Sequence, residues 1–243
     1  MDQFSKWRSH NLKNENGILV GADQTQEWIL PWWWNQYKKD NNKPVAFVDF
    51  GLSFEKKDWC RERGELIPLR LFDFAAEKEE MDPYFVKDLE DEFGSLFWNC
   101  RSAWFKKPFA CLQTPFKKTI WIDIDCEIRC NLDPLFEYDG VAMAKDQSPP
   151  DYPFLVYNSG VMVFERDLPL IEFWADGAWN RNGQFRGDQE LLSALIAEKN
   201  ILVSELPPEY NWMRINHDHS KAQILHWHGV IGKSEIRMQS RTL

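Results

Sequence analysis

Short apolar runs alternate with charged or amphipathic stretches along most of this chain, and that alternation predicts its architecture. Residues 17–23 (GILVGAD) are apolar and end in a carboxylate, which predicts a buried first strand. Residues 26–39 have helical character interrupted at Pro31, and residues 44–50 (PVAFVDF) predict a second strand stopped by Gly51. A charged helix is expected over 54–64, with Ser53 as its N-cap and Gly64 closing it, followed by a third strand over 65–69. The long aromatic and charged stretch 73–107 reads as mostly helical. Further strands are expected at 118–123, 140–144 and 159–164, and shorter ones at 201–203 and 223–226. Between them, Leu191, Leu192, Leu195 and Ile196 recur at helical spacing, so residues 188–199 predict an amphipathic helix. Strands alternating with helices imply an α/β domain whose parallel sheet is covered on both faces. Residues 1–16 are a polar lead-in. No repeat, low-complexity stretch or linker divides the rest, so residues 17–243 are expected to form one domain.

Composition narrows the classes. With 44% hydrophobic residues in 243, the chain has enough apolar material for a sizeable core, and disorder throughout is excluded. A net charge of −9 without a dense basic run argues against nucleic acid as a partner. Five cysteines, Cys60, Cys100, Cys111, Cys126 and Cys130, make an odd number with no C-x-x-C pair, which fits reduced thiols in a cytosol. Cys126 and Cys130 have the spacing of two thiols on one helix face. The N-terminal residues lack the apolar core of a signal peptide, and no apolar run approaches the ~20 residues of a membrane span, so the expectation is a cytoplasmic chain without a transmembrane segment.

The strongest chemical signal is Ile120-Trp121-Ile122-Asp123-Ile124-Asp125. In extended backbone, side chains two apart point the same way, so Asp123 and Asp125 can converge on one cation at a strand's C-terminal end. Hard oxygen donors suit Mg²⁺ or Mn²⁺ bridging to phosphate. By itself the pattern reads equally as two acidic residues in a solvated turn. Three further segments bear on it. Asn158-Ser159-Gly160 puts an amide and a hydroxyl before a glycine that admits close backbone approach, Asp188-Gln189 opens a helix, and His226 ends a late strand. Each has a structural reading as well: a turn residue, an N-cap and a core histidine.

Together and in this order, these segments resemble glycosyltransferase family 8, which includes glycogenin and bacterial lipopolysaccharide galactosyl- and glucosyltransferases. The resemblance runs from Ile18 to Lys233. It implies a GT-A fold (a Rossmann-like, mixed and mostly parallel sheet), a UDP-linked sugar donor, Mn²⁺ or Mg²⁺, and retention of anomeric configuration. It also implies a glycan, lipid-linked or protein acceptor. Carried over residue by residue, the metal ligands fall on Asp123, Asp125 and His226. The donor-sugar segment falls on Asn158, Ser159 and Gly160, the pair at the reacting sugar on Asp188 and Gln189, and the nucleotide edge on Ala22 and Asp23. The basic residue preceding the D-x-D strand falls on Lys107, and Leu206-Pro207-Pro208-Glu209-Tyr210-Asn211 echoes the family's L-P-x-x-Y-N turn. The family's H-x-x-G-x-x-K-P-W run is altered: Gly232 stands in the lysine's place and Lys233 follows it.

Two rivals stand beside this reading. A haloacid-dehalogenase-like phosphatase also uses D-x-D, but after its first strand, whereas here the motif lies deep in the chain and Glu127 replaces that group's Thr or Val. A non-catalytic nucleotide- or glycan-binding module would keep the fold without turnover. Three features are expected to be structural or solvated: packing for Trp32-Trp33-Trp34, no zinc at His217-Asp218-His219 with His226 and His228, and a solvated basic end for Lys233, Arg237 and Arg241.

Overall fold

A computed structural model describes Arg8, Leu12, Lys13 and residues 15–72, 74–94, 98–148 and 156–241. Among the described residues, strands and α-helices run in the order β1 (Gly17–Ala22), α1 (Leu30–Asp40), β2 (Val45–Asp49), α2 (Phe54–Arg61), β3 (Glu65–Pro68), α3 (Pro83–Phe93), α4 (Trp98–Leu112), β4 (Lys118–Ile122), β5 (Cys126–Ile128), β6 (Val141–Lys145), β7 (Tyr157–Glu165), α5 (Pro169–Arg181), α6 (Asp188–Glu198), β8 (Val203–Glu205), β9 (Trp212–Met213), β10 (Ile224–His226) and α7 (Gly229–Ser240).

Seven strands form the main sheet in the order β3-β2-β1-β4-β7-β6-β8. The pairs β1–β2, β2–β3, β1–β4 and β6–β8 are parallel, and β7 alone runs against both its neighbours, β4 and β6. The sheet is therefore mixed and mostly parallel. Alternation sorts the strand residues between two cores: Ile18, Val20, Ile120 and Ile122 face one side, Leu19 and Trp121 the other. The first core is filled by α1 residues Leu30, Trp32, Trp33 and Tyr37, and the second by side chains of α4, α5 and α6, including Phe105, Phe109, Trp174, Leu191 and Leu192. Helices thus cover both faces, and continuous apolar strands result because neither face meets water.

A second sheet, β5-β10-β9, continues from the end of β4. Asp123, Ile124 and Asp125 are the three residues that join the two sheets, and their backbone is fixed on both sides. Asp123 N–H donates to the Gly160 carbonyl on β7 (2.7 Å), and Trp227 N–H donates to the Asp125 carbonyl (2.9 Å).

Several local expectations change. Pro31 lies in the first turn of α1 and starts the helix instead of interrupting it, because a helix's first N–H groups have no internal partner to lose. Ser53 caps α2 by accepting from Lys56 N–H, but the helix stops at Arg61. Gly64 serves a close approach: a Cβ there would lie 2.1 Å from the Val45 carbonyl oxygen. Cys126 lies on strand β5, so it shares no helix face with Cys130. Of the basic end, Arg237 and Arg241 are exposed as expected, whereas Lys233 is half-buried; α7 also buries Ile236 and accepts a hydrogen bond from Trp32 Nε1–H at Gln239 Oε1 (3.1 Å). Helix α5 has no counterpart in the sequence reading. Its buried set, Leu170, Ile171, Trp174, Ala175, Gly177 and Ala178, covers too much of its circumference to leave an amphipathic stripe. Of the three consecutive tryptophans, Trp32 and Trp33 are core, and Trp34 packs half-buried against Phe47 and Trp59.

Candidate functional site

Strand β4 delivers Asp123 and Asp125 to the seam between the sheets, and β10 brings His226 to the same place by pairing with β5, where His226 stands opposite Cys126. His226 Nε2 lies 3.4 Å from Asp125 Oδ1 and 3.9 Å from Asp123 Oδ2. Each carboxylate also has a lysine. Lys233, on α7, sits 3.1 Å from Asp125 Oδ2. Lys107, on α4, sits 3.0 Å from Asp123 Oδ1 and 3.4 Å from Asp188 Oδ2, and also donates to Ser159 Oγ (3.1 Å). Trp121 Nε1–H donates to Asp123 Oδ1 at 2.7 Å, so the strand's own indole holds the first carboxylate in place.

Asp188 and Gln189 open α6 against this cluster. Gly187 is the N-cap and Asp188 the first helical residue, so its carboxylate is free to accept from Ser159 Oγ–H (3.1 Å) instead of capping the helix. Gln189 Oε1 accepts from Ser159 N–H (3.1 Å), and its Nε2 donates to Asp146 Oδ2 (2.9 Å). Asn158 Nδ2 donates to that same oxygen (2.8 Å). Asn158 Oδ1 accepts from Gly160 N–H (2.9 Å) and from Asn211 Nδ2 (2.8 Å), and Asn211 Oδ1 lies 3.1 Å from His226 Nδ1. Asn211 ends a 3₁₀ turn, Pro208–Asn211, and is fully buried. Gly160 also has a packing reason: a Cβ there would come within 2.4 Å of the His226 ring. The histidine ring is reason enough for the glycine.

The charges are strongly interdependent. Burial alone would lower the Lys107 ammonium, but Asp123 and Asp188 outweigh it and hold its pKa above the usual lysine value. Burial works to raise Asp125, yet Lys233 and His226 overcome it and keep that carboxyl well below its ordinary range. Asp188 ends raised, because burial and the nearby Asp123 exceed what Lys107 and Ser159 give back. The Asp125 carboxylate and His226 imidazole, with the half-buried Asp123 beside them, are donors of the kind Mg²⁺ or Mn²⁺ takes, but such a cation would have to displace the Lys233 ammonium that now neutralises Asp125. Among the described residues, the three ligand groups that lie within 4.8 Å of one another are Asp125, Cys126 and His226; the expected ligand Asp123 is not part of that set, although its Oδ2 lies 3.9 Å from His226 Nε2. Burial, then Asp125 and Asp123, push the Cys126 thiol well up, so before any cation binds it is a neutral thiol.

Ten predicted residues thus meet in one network: Lys107, Asp123, Asp125, Asn158, Ser159, Gly160, Asp188, Gln189, His226 and Lys233. Ala22 and Asp23 stand apart at the end of β1, where Asp23 Oδ1 accepts from Thr25 N–H (2.9 Å), Thr25 Oγ1–H (2.6 Å) and Gln26 N–H (3.0 Å) to shape the following turn. Phe50, next to β2, donates its N–H to the Ala22 carbonyl (3.0 Å) and stacks its ring on Trp121 at 6.5 Å. Sequence reasoning missed Asp146 and Trp121 and treated Asn211 only as part of a turn. Asp146 had a signal: like Asp123, it directly follows an apolar strand.

Comparison with solved structures places this arrangement. The galactosyltransferase LgtC, solved with donor and acceptor sugar analogues, superposes with a TM-score of 0.61 at 13% identity, over 93% of this chain and 96% of that one. The glycosyltransferase GlyE of Streptococcus pneumoniae TIGR4 gives 0.61 at 15% identity over 88% of this chain and 55% of its own. WbbM, a bifunctional glycosyltransferase, gives 0.57 at 13% identity over 90% and 46%. No protein-family model and no curated protein sequence matches the chain. The likenesses establish the fold, the GT-A fold of glycosyltransferases, in which helices cover both faces of a mixed, mostly parallel sheet.

Proposed function

We propose that the protein is a metal-dependent glycosyltransferase that moves a sugar from a UDP-linked donor to an acceptor with retention of configuration, and that residues 17–243 act as one catalytic domain. The observation that carries this is the convergence of Asp123, Asp125 and His226 at the sheet seam, with Asp188 and Gln189 docked on the same cluster through Lys107 and Ser159. Mn²⁺, when bound by those first three residues, would neutralise charge on the departing diphosphate. Lys233 competes for the same Asp125 carboxylate and supplies a second positive charge at the diphosphate once displaced. Asp188, held in place by Ser159, Lys107 and its position on α6, presents a carboxylate to the positive character that develops at the anomeric carbon. Asp23 keeps Oδ2 for the edge of the nucleotide base. We place the protein in the cytoplasm on its thiols: Cys60, Cys111, Cys126 and Cys130 are all free. Among the described residues no helix is long and apolar enough to cross a membrane.

The test is release of UDP from UDP-sugars with and without Mn²⁺. Asp125→Asn should stay folded, bind Mn²⁺ poorly and lose turnover. Unchanged turnover in that variant would remove the cation from the reaction, and release of phosphate from monoesters would favour a phosphatase.

A further inference from the structure

We infer that Arg101 is a positioning residue whose guanidinium clamps the connection between α5 and α6 and so sets where Asp188 and Gln189 stand. The inference rests on the proposed function for its effect on turnover, but the clamp itself follows from contacts that α4 makes.

Arg101 is 1% exposed, and its guanidinium lies 4.8 Å from the centre of the Phe105 ring. Burial draws its pKa down to about 10, so the group keeps its charge at neutral pH. A buried charge needs partners, and here backbone carbonyls supply them. Nη2–H donates to the carbonyls of Asn182 and of Phe185 (3.2 Å to the second), and Nη1–H donates to that of Ala76 (3.0 Å). Asn182 is the C-cap of α5. The last carbonyls of a helix have no partner inside it and form the negative end of its dipole, so a cation is stabilised there. Asn182 extends the clamp with its own side chain: Oδ1 accepts from Ala76 N–H (2.6 Å), and Nδ2 donates to the Ala178 carbonyl (2.8 Å).

The same helix meets the connection twice more. Gly187 lies against the Trp104 ring, which a Cβ would approach to 3.2 Å, and Lys107 sits 3.4 Å from Asp188 Oδ2. Positions 101, 104 and 107 follow one another at helical spacing, so α4 holds the entry to α6 from Asn182 to Asp188. The residue at 101 has to be arginine, because a planar fork of donors reaches three carbonyls that the point charge of a lysine cannot span. Two N–H groups report where the clamped pair stands. Trp174 Nε1–H donates to the Asp188 carbonyl (2.9 Å), and Ser159 N–H donates to Gln189 Oε1 (3.1 Å).

The experiment follows those two N–H groups by NMR hydrogen exchange in Arg101→Lys and Arg101→Met, and measures UDP release from UDP-sugars with Mn²⁺. In both variants Trp174 Nε1–H and Ser159 N–H should exchange roughly tenfold faster or more, because the opening is local. Trp32 Nε1–H, bonded to Gln239 in the other core, should exchange as in wild type. The kcat should fall about 10–100-fold, the cost of a displaced group, with KM and Mn²⁺ affinity unchanged. Folded variants with unchanged exchange at Trp174 and Ser159, or with unchanged kcat, overturn the inference. So does an equal rise at Trp32, which marks a loss of stability alone. If neither variant folds, wild-type protein in low urea decides. There the Trp174 indole should open together with the Arg101 guanidinium, and an indole that exchanges while the guanidinium stays protected overturns the clamp. Wild-type protein that releases no UDP, with exchange in the variants as expected, keeps the clamp and removes the proposed function.

Discussion

Replacing Lys107 by methionine should be among the most costly single changes in this protein. The ammonium is buried between Asp123 (3.0 Å) and Asp188 (3.4 Å) and donates to Ser159 (3.1 Å), and methionine keeps most of the volume while removing all three contacts. Removing one partner of a buried ion pair costs about 3–5 kcal/mol, because the remaining charge keeps its desolvation penalty without compensation. At roughly 2–4 °C per kcal/mol for a chain of this length, the melting temperature should fall by about 6–20 °C. The pH dependence gives a second check. Asp188 is already raised by burial and by Asp123, and losing Lys107 raises it further. A group with a raised folded pKa contributes stability below its unfolded value and loses it as pH rises, so the deficit of Lys107→Met should be smaller near pH 5 than near pH 8. Adding Asp188→Asn to that variant should recover part of the loss. Urea denaturation at both pH values measures all of this. A deficit below about 1 kcal/mol, the scale of an exposed pair, would show that the ammonium is solvated and the buried charge network is wrong.

Gly160→Ala should drive His226 from its place, since the new methyl would come 2.4 Å from Cε1 and 2.5 Å from Nδ1. Titration calorimetry should then show Mn²⁺ binding weakened by about tenfold or more in a folded protein, and undiminished binding would mean the ring position does not matter. Trp33→Ala removes a fully buried indole stacked on Tyr37 and should cost about 3–5 kcal/mol in chemical denaturation; a loss under about 1 kcal/mol would mark Trp33 as solvent-accessible. Burial pushes the Cys60 thiol up to about 12 from the usual 9. With the folded pKa above the unfolded one, stability is complete below pH 9 and declines as pH rises toward 12, and native protein at pH 8 should resist a thiol reagent at Cys60 until denaturant is added. Rapid labelling of that thiol in native protein would contradict its burial.

Much of this molecule was legible locally. Continuous apolar runs located β1, β2, β4 and β7, and helical spacing located α6; Asp123 and Asp125 lie just past β4, but in a turn closed by Cys126 N–H on the Asp123 carbonyl (3.0 Å), not in the extended backbone from which their convergence was expected. Those signals are visible because a strand covered on both faces is apolar throughout and a helix of period 3.6 writes its burial into neighbouring residues. What the tertiary structure alone decided is which distant residues meet there. Strands β5, β9 and β10 have only two or three residues each, too few for any period to register, yet their pairing carries His226 to the D-x-D seam and Asn211 behind it. Helix α7 returns Lys233 to Asp125 from what read as a solvated end, and the glycine at 160 answers to an imidazole brought there by another strand. Sequence patterns fix what each segment buries. Only crossover connections and inter-strand pairing fix what it is buried against, and the chemistry of this site is made of such meetings.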